Sequence, residues 1–241
     1  PGVYIEESRQ FQMSQEGIRV INISWASGCY ANGYVQSIVD EIYENGTILV
    51  AAAGNGTTCG GPSNLVFPAA CDHVISVSSI GAYDNHERII GNPNTTHQHN
   101  ATVDICAPGY DVALTIFPEY YIYGTGTSFA APIVSGTIGL MLSLKPCMTF
   151  EEVEEILRFS ADDLDSLNPL YAGMLGAGRL NAQAALELTL INECDGNSTT
   201  TPLVVDSLNN GNVITSNPSI SNPNNNGFNL NGEVVVNVTT N

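Results

Sequence analysis

Thr47-Ile48-Leu49-Val50-Ala51-Ala52-Ala53-Gly54-Asn55-Gly56 is an apolar run closed by Gly-Asn-Gly. It has no polar alternation, so neither face of the strand it predicts is suited to water. Strands of that kind belong to parallel sheets covered on both sides by helices. The surrounding sequence agrees. Residues 20–24 (VINIS), 74–78 (VISVS) and 103–106 (VDIC) are further strand candidates. Between the first two strands, Val35, Ile38, Val39 and Ile42 recur at helical spacing over residues 35–44. Residues 129–144 predict a long apolar helix. Its Ala130-Ala131-Pro132 opening suits a first turn, where backbone N–H groups have no intrahelical partner. Thr149 and Glu152 predict a capping box for a helix through Val153, Ile156 and Leu157. Asn181 can cap a last helix carrying Ala182, Ala185 and Leu188. Strand and helix in alternation predict an α/β fold, a three-layer sandwich around a mostly parallel sheet.

The composition bounds what such a fold can do. With 241 residues, 43% of them apolar, the chain can bury one ordinary core and carry a tail. Acidic residues number 24 against 6 basic ones, a net charge of −18. Nothing here could neutralise nucleic-acid phosphates through a basic patch, and an anionic membrane surface is an equally poor partner. No apolar run approaches the roughly 18 residues of a spanning helix. Near residue 191 the composition turns to Asn, Thr, Ser, Gly and Pro. Residues 1–190 therefore read as the body. Residues 191–241 read as a linker leading into short β segments at 203–205 and 234–238. The chain opens on Pro1 with no basic and apolar leader. Six cysteines form no Cys-x-x-Cys pair, which speaks against a zinc ribbon or a thioredoxin-like centre. Their even count leans towards an oxidising, extracellular setting.

Two segments carry chemistry. In Gly124-Thr125-Gly126-Thr127-Ser128-Phe129-Ala130-Ala131-Pro132, a serine stands where a glycine-rich loop enters a helix. Small neighbours let a substrate backbone approach, and a helix N-terminus favours developing negative charge. That placement serves a nucleophile whose own N–H steadies an oxyanion, and it serves a plain helix cap equally well. Asn55, at the end of the apolar strand, is either an ordinary turn residue or a side-chain amide aimed at an oxyanion. The second role needs a nucleophile elsewhere, and Ser128 supplies one.

Taken together, these segments resemble the subtilisin-like serine peptidases, the subtilase family. VINISWASG (residues 20–28) is similar to the family's VINMSLG edge strand, and AAAGNG (51–56) to its oxyanion motif AAGN. FPAACDHVISVSSIG (67–81), APG (107–109), GTSFAAPIVSG (126–136) and GAGRLNAQAAL (176–186) follow in the family's order. The resemblance covers roughly residues 14–190. It implies that Ser128 is the nucleophile of a secreted endopeptidase and Asn55 its oxyanion-hole amide. It further implies that Ser24, Trp25 and Ala26 align the substrate backbone, while Ala53 and Gly54 form the opposite wall of the specificity pocket. Peptides or proteins are then the substrates, and the enzyme is a monomer with no catalytic cofactor. Structural calcium is a family habit, but no ligand spacing here fixes a site.

The family's catalytic Asp (D-[ST]-G) and His (HGTxVAG) both precede the AAGN motif, and neither motif occurs here. All four histidines, His73, His86, His97 and His99, follow Asn55. The expectation is that these residues are the C-terminal two-thirds of the domain, inactive alone, with the triad completed from upstream. The alternative is a catalytically silent binding or adhesion module on the same body. His97 and His99 are too few to suggest a metal. Cys59 and Cys71 bracket the loop after Asn55 and suggest a disulfide; Cys147 with Cys194 suggests another. Cys106, in a strand, reads as a core thiol.

Overall fold

The computed structural model describes residues 2–117, 120–192, 205–209, 212–215 and 234–237. Its centre is a four-stranded parallel sheet, β1 (Val20–Ile23), β2 (Ile48–Ala52), β3 (Val74–Ile80) and β4 (Ile105–Pro108), in the spatial order β1-β2-β3-β4. Val20 pairs with Ile48, Leu49 with Val74 and Val77 with Ile105. Every residue of β2 and β3 is buried, as the unbroken apolar run of β2 requires. One face meets α1 (Gly2–Gln15) and α2 (Gly33–Glu44). There Ile21, Ile23, Leu49 and Ala51 pack against Val35, Val39 and Ile42. On the other face α3 (Thr127–Leu144) lies across all four strands, backed by α5 (Ala182–Ile191), which also packs on α4 (Phe150–Ser160). This is the three-layer α/β/α arrangement that the alternation of strand and helix predicts.

Local signals explain the helix starts. The Asn32 side chain caps α2 by accepting from Tyr34 N–H. Both halves of the capping box of α4 are formed: Thr149 N–H donates to Glu152 Oε2 at 2.8 Å, and Glu152 N–H donates to Thr149 Oγ1 at 3.3 Å. Asn181 Oδ1 accepts from Ala184 N–H at the start of α5. Arg19 ties three segments together, donating to the carbonyls of Gly46, Pro146 and Met148.

Three expectations need correction. α3 is 18 residues long and apolar enough to cross a membrane by length and composition, which the count of consecutive apolar residues missed. Its small residues (Ser135, Gly136, Thr137, Gly139) interrupt the run without lowering the average much, and its inner residues Ala130, Ala131, Val134, Ile138 and Met141 are buried in the core. Second, α3 begins at Thr127, so Pro132 falls in the second turn and not the first. Third, Cys59 is bridged to Cys29, not to Cys71. Cys29 follows the C-terminal end of β1 and Cys59 that of β2, so both lie at one edge of the parallel sheet. Cys71 precedes β3, at the opposite edge, and is buried with Ile21, Val39 and Val74. The Cys147–Cys194 expectation falls on Cys194, outside the described residues. Replacing Cys29 and Cys59 together by serine should cost about 3.5 kcal/mol, because their 30-residue separation closes a loop in the unfolded chain. Chemical denaturation measures this; an unchanged midpoint would mean that the bridge constrains nothing.

A two-stranded antiparallel ribbon, β5 (Val112–Ile116) and β6 (Tyr120–Gly124), stands between β4 and α3. It is rich in exposed aromatics, and Tyr-Tyr-Ile-Tyr is its strand signal in the sequence. Contacts divide the chain into two compact units, Pro1–Cys194 and Asp195–Asn241. In the second unit, β7 (Val205–Asn209), β8 (Asn212–Thr215) and β9 (Val234–Asn237) form an antiparallel sheet in that order.

Candidate active site

All four strands of a parallel sheet end on one side, and that edge is where open α/β sheets gather their chemistry. Ser24 follows β1, Asn55 follows β2, Gly109 follows β4, and the first turn of α3 brings Ser128 to the same edge. The four come together in space.

Ser24 and Ser128 are clasped to each other. Ser24 Oγ donates to the Ser128 carbonyl at 2.8 Å, and Ser128 Oγ donates to the Ser24 carbonyl at 3.1 Å. Pro132 explains the first bond. A proline four residues on has no N–H to offer the Ser128 carbonyl, so that oxygen lacks its helical donor, and the Ser24 hydroxyl takes the place. The proline in the second turn thus frees a backbone acceptor that pins the end of β1 to the turn carrying Ser128.

Asn55 is exposed, yet its side chain is oriented. Its Oδ1 accepts from Thr127 N–H at 2.8 Å and from Thr127 Oγ1 at 3.1 Å. A backbone N–H can only donate, so the atom facing it must be the carbonyl oxygen, and the Nδ2 donor is turned away from Thr127. Thr127 Oγ1 in turn accepts from Gly54 N–H at 3.1 Å. Thr127, not singled out from the sequence, therefore locks the amide to the residue beside Ser128. The Ser128 N–H belongs to the first turn of α3, where donors have no intrahelical partner.

Close backbone approaches fix this loop. A side chain on Gly56, at φ +77°, would put Cβ 2.2 Å from the Thr96 carbonyl oxygen. One on Gly109 would meet Ser79 Cβ at 2.4 Å, and the Gly109 carbonyl receives Gly126 N–H at 2.8 Å. The Ala-Pro-Gly turn thereby buttresses the loop that precedes Ser128.

The remaining predicted residues take these positions. Trp25 is half-buried and packs on the core cluster of Ile21 and Phe67, while Ala26 is exposed. Ser27 N–H donates to the Phe67 carbonyl at 2.7 Å, continuing the edge beyond β1. The Ala53 side chain turns into the core with Ile80 and Cys106, so its backbone is what it can offer a substrate. Gly54 is buried beside Gln98. No histidine joins the cleft. His73 precedes β3, at the opposite edge, where it stacks on Tyr43 and meets Asp40 at 3.1 Å. His86, His97 and His99 are buried and bonded elsewhere. Among the described residues no three of His, Cys, Asp or Glu group to hold a metal ion.

A doubly covered parallel sheet, with a serine on a helix start and an amide on the adjacent strand end, defines the architectural class. The comparisons give the family. The model of the subtilase family, Peptidase S8, matches residues 3–178. Subtilisin DY of Bacillus licheniformis is 33% identical over 174 residues, covering 72% of this chain and 59% of its own length. The thermophilic serine proteinase of Bacillus sp. (strain AK1) is 35% identical over 173 residues, 72% of this chain and 39% of its own. Among solved structures, the prenylagaramide maturation protease PagA superposes with a TM-score of 0.65 at 25% identity, over 78% of this chain and 67% of that one. The chain belongs to the subtilase family. It spans 59% or less of the length of these two relatives.

Proposed function

We propose that this chain carries the nucleophile and oxyanion site of an extracellular serine endopeptidase, and that the general base and its orienting carboxylate come from sequence upstream of Pro1. Ser128 Oγ attacks the scissile carbonyl carbon. The new C–O bond forms as the hydroxyl proton passes to the upstream imidazole. The carbonyl oxygen, now negative, is held by Asn55 Nδ2 and Ser128 N–H. The imidazolium returns its proton to the leaving amine, and water repeats the sequence to release the acyl group. Residues Ser24, Trp25 and Ala26 continue an edge on which a substrate backbone can pair as an added strand.

The observation that carries this reading is the Asn55 amide. Two donors of Thr127 hold its oxygen, which leaves its N–H₂ group for a ligand next to Ser128. The Ser128 hydroxyl donates to the Ser24 carbonyl, which cannot take its proton, and this supports a base supplied from elsewhere. The Cys29–Cys59 bridge supports an oxidising, extracellular setting.

The test compares the 241 residues with the protein extended by the sequence its gene places upstream. The extended protein should hydrolyse a chromogenic peptide and be labelled by a fluorophosphonate at Ser128, while the 241 residues alone do neither. An extended protein that shows neither turnover nor labelling would sink the enzymatic reading. A silent binding or adhesion module would then be the better account.

A further inference from the structure

Gln98 lies in the Thr96–His99 segment that passes beneath the Asn55 loop, and it is completely buried. Its neighbours in sequence give no hint of a role, yet its polar atoms go almost wholly to one place. Oε1 accepts from Gly56 N–H at 2.7 Å. Nε2 donates to the carbonyls of Thr58 at 2.8 Å and Gly61 at 3.0 Å, with Asn64 O at 3.5 Å. Its backbone N–H donates to the Gly54 carbonyl at 3.2 Å. Ser78 Oγ donates to its carbonyl and anchors it to β3.

Asn55 thus sits between two glycines that Gln98 holds from below, Gly54 through the main chain and Gly56 through the side chain. Glycines are the residues least able to hold their own conformation, so a loop built on them needs an outside clamp. Only a side chain with both an acceptor and donors can bind an N–H and carbonyls at once, and a carboxamide is that group. Its buried position excludes water that could substitute.

We propose that Gln98 is a positioning residue for the oxyanion site, acting through the loop that aims Asn55. This rests on the reading of Asn55 as the oxyanion amide. A donor displaced by even 1 Å from a developing charge loses much of its value, up to about 100-fold in rate. Gln98→Met in the extended protein removes the clamp at nearly constant volume. It should lower kcat roughly 10- to 100-fold with KM nearly unchanged, since ground-state binding does not use the oxyanion donor.

Thermodynamic coupling separates this from general loosening. Asn55→Ala should lower kcat by about 10²- to 10³-fold, the loss measured for the corresponding amide of a subtilisin. In the Asn55→Ala background, Gln98→Met should cost less than about 3-fold more, because the group it positions is gone. Gln98→Asn keeps a carboxamide but draws it back by one methylene; it is read in the same way if Gln98→Met does not fold. If Asn55→Ala leaves kcat intact, the oxyanion reading falls and takes this proposal with it. If Asn55→Ala is damaging but the Gln98 variants keep kcat, raise only KM, or add their full loss to that of Asn55→Ala, this proposal alone is overturned.

Discussion

Ser128→Ala in the extended protein is expected to lower kcat by about 10⁶-fold, with the protein still folded. The magnitude is that found on removing the nucleophile of a subtilisin, a relative of this chain, and is carried over with the role. Losing the hydroxyl removes one hydrogen bond, from Ser128 Oγ to the Ser24 carbonyl, worth about 1 kcal/mol. The reciprocal bond from Ser24 Oγ to the Ser128 carbonyl needs only the main chain and survives. The substitution therefore separates chemistry from folding: activity collapses while the melting temperature moves by a few degrees. Residual turnover of about 10³- to 10⁴-fold over water should persist from the oxyanion donors and binding alone. Steady-state kinetics on a peptide substrate decides the matter. A variant that keeps more than a few per cent of kcat would place the nucleophile elsewhere.

That experiment depends on residues that were legible in the sequence. The unbroken apolar run of β2 announces a strand buried on both faces, and all five of its residues are buried. Gly-Thr-Ser before a helix and Ala-Gly-Asn after a strand announce a pair of loop ends at one sheet edge. What the sequence withholds is distance in space. Asn55 and Thr127 are 72 residues apart, and Gln98 reaches partners 34 to 42 residues away, so no local pattern links them. The pairing of Cys59 is hidden from the sequence for the same reason. Cys59 and Cys71 are near in sequence, but β2 and the return to β3 carry them to opposite ends of the sheet, while Cys29 comes alongside through the β1–β2 pairing. Pro132 looks like a first-turn residue in the sequence, because nothing local to it announces the compensating hydroxyl of Ser24, just beyond β1.

Acid should destabilise the fold well before ordinary carboxylates titrate. His86, His97 and His99 are buried around Ser79, Tyr110 and Tyr171. His86 Nδ1 lies 3.1 Å from the Ser79 carbonyl, so it must carry the proton. His99 Nδ1 lies 3.1 Å from the His97 carbonyl and 3.0 Å from His86 Nε2, so its single N–H serves both. The network is complete with both rings neutral, and a proton on His86 Nε2 would face that N–H. Burial, then the neighbouring His99, push His86 down to about 4; burial, then Arg88, push His97 down to about 4; burial also lowers His99. Nearby charges are paired: Arg88 with Asp111, Arg179 with Asp84 and Asp162, and Glu87 receives the Tyr171 hydroxyl. An unfolded histidine titrates near 6.5, so between about 6.5 and 4 the unfolded chain binds more protons than the folded one. Stability from these rings is full above that window and falls as the pH descends through it, by on the order of 3 kcal/mol for each of His86 and His97. Asp104 acts oppositely. Burial raises it to about 6, so its penalty is felt at higher pH and relieved as the carboxyl protonates, offsetting roughly one histidine. The net loss between pH 7 and 4 is then about 3 kcal/mol, or roughly 10 °C in melting temperature for a chain of this size. Asp104→Asn, which keeps an acceptor for Ser76 N–H, should remove the offset and steepen the decline. Thermal melts from pH 8 to 4 on both proteins test this, and a flat profile above pH 4.5 in both would show that the three rings are not held neutral by the fold.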